Sequence, residues 1–198
     1  MVGNSSLVID KLKKSVMATG SKIGLAYLYC DYRDQKGQTV ENILGALLKQ
    51  LLRLLPKIPE VVSKLYEERV VQERPISSAD AVELLCIACS QFKRVYVCLD
   101  ALDEVGNLRD LLHHLRESPS SMQIFVTGRH HIRSIVQEYF KEESYISIEA
   151  QKNDIRLFID HEIGGPNDIE PKAMDEKLRN NILTKVIESA EGMLVQPH

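Results

Sequence analysis

Three short apolar runs set the class of fold open to this chain. Lys22–Tyr32 (KIGLAYLYCDY), Arg94–Leu99 (RVYVCL) and Met122–Arg129 (MQIFVTGR) are bounded by polar residues and rich in Val, Ile, Tyr and Phe, the make-up of buried strands. The segments between them follow a helical period. Val40, Ile43, Leu44, Leu47, Leu48, Leu51, Leu52 and Leu55 trace one face of a helix that Pro56 and Pro59 close. A second helix is predicted over Glu60–Val71. A third starts at Ser77 or Ser78, with Ala81, Leu84, Leu85, Ala88 and Phe92 on one side. Asn107–Ser118 makes a short helix closed by Pro119. Strands separated by helices imply crossover connections, hence an α/β fold with a mostly parallel sheet covered on both faces.

The flanks extend the pattern. Ser5 or Ser6 caps a predicted helix to about Ala18, and Ser144–Ala150 reads as a shorter strand. Two helices follow, Asn153–Ile163 and Pro171–Glu191, separated by Gly164-Gly165-Pro166.

Composition narrows the function. A formal net charge of -3 over 198 residues gives no support for a polyanion binder held by bulk electrostatics, so no nucleic-acid partner is expected. No apolar run reaches the roughly 18–20 residues that span a bilayer, and Met1–Lys14 lacks a signal-peptide layout. No membrane partner is expected, and a cytoplasmic location is the default. Cys30, Cys86, Cys89 and Cys98 lie in apolar segments without the density of a disulfide scaffold, which suits a reducing compartment.

The chemistry gathers at strand ends, where parallel α/β sheets place their sites. Asp100 ends the second run, with Asp103 and Glu104 just beyond it; Thr127-Gly128-Arg129 ends the third. A carboxylate at a strand end can orient the water shell of a magnesium ion, a hard cation that prefers oxygen. A second acid can position a water for attack on phosphorus, and an arginine can neutralise phosphate. Asp after a strand is also a common turn former, so the acids alone leave a surface turn as the alternative; the matched second strand with Arg129 favours an NTPase site.

The stretches IGLAYLYCDYRDQ, RVYVCLDALDEV, IFVTGR and DIRLFIDHEI resemble the NACHT-type NTPase domain of fungal NLR-like proteins. This is the nephrocystin-like, often ankyrin-repeat-bearing group within the STAND class of P-loop NTPases, and the resemblance runs from Ser5 to about Leu194. DALDE is similar to that family's extended Walker B motif and VTGR to its sensor-1 strand end. The resemblance implies Asp100 holding magnesium through water, Asp103 and Glu104 as the catalytic acidic pair near the attacking water, and Thr127 and Arg129 at the nucleotide, with Arg129 in the γ-phosphate region. It implies Mg-ATP or ADP as cofactor. The implied role is a nucleotide-dependent signalling switch, able to form a homo-oligomer and joined to effector, ankyrin or WD-repeat domains.

One departure outweighs these matches. A P-loop ends in Gly-Lys, and none of this chain's ten glycines is followed by lysine. The expectation is therefore a P-loop NTPase-like core lacking its P-loop strand over 1–165, with the start of a shortened C-terminal helical region over 166–198. ATP hydrolysis is not expected, nucleotide affinity should be weak, and open sheet edges should make the isolated chain poorly stable.

Two other functions stand beside this one: a non-catalytic interaction module, and a metal-dependent hydrolase built on Asp100, Asp103 and Glu104. Cys86 and Cys89 form C-x-x-C but lie mid-helix without a second pair, which favours buried core cysteines. His130 and His131 are adjacent, which favours a solvated loop over a metal site. The leucine face of Val40–Leu55 is better read as core than as a docking helix.

Overall fold

The apolar runs form strands at the centre of the fold. A computed structural model describes residues 8–14, 22–141, 144–146, 153–154, 157, 177–178 and 180–186. The chain divides into two units, Met1–Glu143 and Ser144–His198.

In the first unit, β1 (Ile23–Tyr29), β2 (Arg94–Asp100) and β3 (Met122–Val126) form a parallel sheet in the order β1-β2-β3. The register pairs Tyr29 with Asp100 and Leu99 with Val126, so all three strands end at one edge. Helix α1 covers residues 8–14. Helices α2 (Val40–Arg53), α3 (Glu60–Val71) and α4 (Ser78–Ser90) connect β1 to β2, α5 (Leu108–Arg116) connects β2 to β3, and α6 (Arg133–Tyr139) follows.

The two-residue period of the strands sorts their side chains onto two faces. Ala26, Val95, Val97 and Leu99 face the main core, which takes Ile43, Leu44, Leu47 and Leu51 from α2, Leu84, Leu85 and Ala88 from α4, and Leu111, Leu112 and Leu115 from α5. Leu25 and Cys98 face the other way, against Ile9 of α1, with Leu12, Tyr27 and Tyr96 alongside. The apolar runs are nearly unbroken because both faces are covered. The leucine face of α2 is thus core rather than docking surface.

Helix α2 comes close to the sheet at Gly24, where an added Cβ would sit 3.0 Å from Leu51 Cδ2 and 3.1 Å from Val95 Cγ2. The same helix covers the outer edge of β1. Gln50 Oε1 accepts the Tyr27 N–H at 3.1 Å, and Gln50 Nε2 donates to the Tyr27 carbonyl at 2.8 Å. One side-chain amide stands in for a neighbouring strand there, which blunts an otherwise open edge.

The caps set the helix starts. Thr39 accepts from the Asn42 N–H at the start of α2. Ser77 and Asp80 form a reciprocal capping box at α4, so Ser77 rather than Ser78 is the N-cap. Helix α6 is not among the expected elements; it spans seven residues with no side-chain cap, too short for a periodic signal. One expectation needs correction. Ser144–Ile146 is not in a strand, and the rest of the expected Ser144–Ala150 strand lies outside the described residues. In the second unit, residues 153–154, 157, 177–178 and 180–186 are helical, within the two expected helices, whose remaining residues lie outside the described set. Among the described residues no helix is long and apolar enough to cross a membrane.

Candidate functional site

The shared carboxyl edge of the strands brings three loops side by side. The β2 loop turns sharply because Ala101 adopts a left-handed conformation, φ 54° and ψ 48°. That region disfavours bulky and β-branched residues, the physical reason for a small residue after Asp100. The turn sends Leu102–Glu104 through one 3-10 turn beside the end of β3, anchored by Leu102 and Val105, both buried in the core. Anchoring these two apolar residues leaves Asp103 and Glu104 at the rim.

The β3 loop locks onto this turn. The Thr127 N–H donates to the Leu99 carbonyl at 2.9 Å, and the Leu102 N–H donates to the Thr127 carbonyl at 2.8 Å. The Thr127 hydroxyl donates to Asp100 Oδ1 and accepts from the Ala101 N–H at 3.1 Å. Asp100 is half-buried, and among the described residues its second oxygen has no hydrogen-bond partner. One oriented carboxylate oxygen with a neighbouring hydroxyl suits a magnesium ion that keeps most of its waters.

Asp103 is engaged differently. Its side chain is only 5% exposed; Oδ1 accepts the Arg129 N–H at 3.1 Å and Oδ2 lies 3.4 Å from Arg129 Nε. The guanidinium of Arg129 is 68% exposed beyond that contact. Close approach here requires Gly128: a Cβ would sit 2.5 Å from Ile132 Cδ1 and 3.3 Å from Asp103 Oδ1.

Glu104 turns toward the β1 loop. Its Oε2 accepts the Tyr32 N–H at 3.0 Å, and its carbonyl accepts from Gln35 Nε2 at 3.5 Å. The structure therefore brings Asp100 to Thr127 and Asp103 to Arg129, but ties Glu104 to a different neighbour. Among the described residues no three His, Cys, Asp or Glu side chains converge to hold a metal ion. Asp100, Asp103 and Glu104 each face a different partner in this arrangement.

Sequence reasoning passed over the loop after β1. Cys30 continues the ladder, its N–H donating to the Asp100 carbonyl at 2.9 Å. Burial, with the nearby charges of Asp100, Glu104 and Asp103, pushes its thiol up to about 12, so it lines the site as a neutral thiol. Asp31 caps the next turn, Tyr32–Asp34, and pairs with Arg33. The signal was present as a charged D-x-R just past a strand end. The remaining cysteines are free thiols, and burial raises Cys89 to about 12. His130 and His131 are exposed on a 3-10 turn.

No curated protein and no solved structure matches the chain. A family model does, that of the nephrocystin 3 N-terminal region, over residues 4–129. That match takes in all three strands and ends on Arg129, so it spans every site residue named above. Covering well over half of the 198 residues, it shows that the chain belongs to the nephrocystin 3 N-terminal family.

Proposed function

We propose that this chain is the core of a NACHT-type signalling NTPase module of the STAND class, carrying the magnesium-and-water half of a nucleotide site. The observation that carries this is the Asp100–Thr127 contact, which holds a strand-end carboxylate in one orientation with an oxygen to spare. Asp100 holds the hydrated magnesium of Mg-ATP or ADP, Thr127 fixes Asp100, and Arg129 faces the phosphate. Magnesium, when bound, neutralises charge on the phosphate oxygens.

Asp103 acts as the positioning partner of Arg129, since its carboxylate is already taken up by that residue. Glu104 is the acid left to orient a water, through the oxygen that Tyr32 does not occupy. The amide nest and lysine of a P-loop are not among these residues, and acids without them repel phosphate. The chain therefore binds nucleotide weakly and does not turn it over; its role is a conformational or interaction role in a larger signalling protein, with effector or repeat domains as partners. Phosphate release from ATP by the purified chain is expected at background level, and turnover lost on Asp100→Asn would contradict this.

A further inference from the structure

Arg33 shares the sheet edge with the acids of β2. Strand β1 ends at Tyr29, opposite Asp100, and the chain then enters an exposed turn fixed by hydrogen bonds to Gln38 and Glu104. The Asp31 N–H donates to Gln38 Oε1 at 3.1 Å, and Asp31 Oδ1 accepts the Arg33 N–H at 2.9 Å. Tyr32 and Gln35 bond the carboxylate and the carbonyl of Glu104. Ordering an exposed loop costs conformational entropy, so this much fixing points to something the loop must present.

What it presents is the Arg33 side chain, 75% exposed. Asp31 grips the guanidinium along its Nε edge, Nε to Oδ1 at 3.0 Å and Nη2 to Oδ2 at 3.0 Å. Nη1 has no hydrogen-bond partner among the described residues. An exposed pair of this kind adds little stability, but it sets the direction of a rigid fork of donors. Arg129 lies on the other side of β2 in a looser contact, its Nε 3.4 Å from Asp103 Oδ2. Two guanidinium groups, each beside an aspartate, thus flank the loop of Asp100, in the loops that follow β1 and β3, strands two spacings or about 10 Å apart. Glu104 lies near enough to add to the negative field around Arg33, so the arginine balances the acids beside which a phosphate must sit.

We propose that Arg33 is a second phosphate-contacting residue, which with Arg129 takes the outer oxygens of a magnesium-bound oligophosphate. This rests on the reading of Asp100 as the magnesium carboxylate. The test uses the full chain with isotope-labelled arginine, titrated with Mg-ATP into the millimolar range while the side-chain Nε–H resonances are followed. The Arg33 signal is expected to shift, and Arg33→Ala to weaken binding about fivefold with melting unchanged. Arg33→Lys keeps the charge without the fork and recovers only part of the affinity. Binding that depends on Asp100 but stays within about twofold in Arg33→Ala, with the Arg33 resonance unmoved, overturns the role of Arg33 alone. A titration identical in wild type and Asp100→Asn overturns the magnesium reading and the role of Arg33 with it.

Discussion

The Thr127 hydroxyl donates to Asp100 across the seam between β2 and β3 while accepting from the Ala101 N–H. One side chain therefore both orients the strand-end carboxylate and satisfies the backbone of a left-handed turn. Thr127→Val keeps the shape and removes both bonds, leaving a half-buried carboxylate and an N–H unpartnered. The expected cost is about 1–3 kcal/mol by urea unfolding, with Thr127→Ser close to wild type. Equal stability of Thr127→Val and wild type would show that the hydroxyl does not hold the turn.

Gly128 is required by its neighbour rather than by its backbone angle. Gly128→Ala drives a Cβ against Ile132 Cδ1, and Ile132 is buried, so the side chain has little room to yield. A loss of about 1–3 kcal/mol is expected. Ile132→Val removes the offending methyl, so the double variant should lose less than the two single changes together. Strict additivity would place the strain elsewhere.

The capping box of α4 makes a pH-dependent contribution. The Ser77 N–H and hydroxyl, and behind them the Arg69 guanidinium, hold the Asp80 carboxyl below its ordinary value of 3.8. A depressed folded-state pKa gives stability that is complete above 3.8 and is lost as pH falls through the lower folded value. Asp80→Asn should therefore be less stable than wild type at pH 7, by about 1 kcal/mol, the usual scale of a cap. That gap should close in acid below 3.8. A gap independent of pH would mean that the ionised carboxylate contributes nothing.

The sheet was legible because its signal is collective. Val95, Val97 and Leu99 announce a buried strand regardless of what covers them, and the run from Val40 to Leu51 announces the helix that does so. Asp100, Asp103, Thr127 and Arg129 could be named as candidates because the strand ends locate them. Their pairing could not be read. Asp103 meets Arg129 only because β2 and β3 are neighbours, and Glu104 meets Tyr32 only because β1 lies on the other side. Gln50 carries no pattern either, since its task is to satisfy the backbone of Tyr27. Helix α6, which puts Val136 into the main core, depends on tertiary contacts that no local period reports.

The most direct measurement is a titration of fluorescent ATP into the full chain with magnesium, with EDTA in place of magnesium, and with Asp100→Asn. If Asp100 is the magnesium carboxylate of a site without its phosphate grip, wild type binds with a Kd of about 1 mM, roughly -4 kcal/mol, and binding disappears in EDTA and in Asp100→Asn. Micromolar affinity would show that the phosphate grip is present in these residues after all. Binding unchanged by Asp100→Asn would show that the strand-end carboxylate is not where the metal sits.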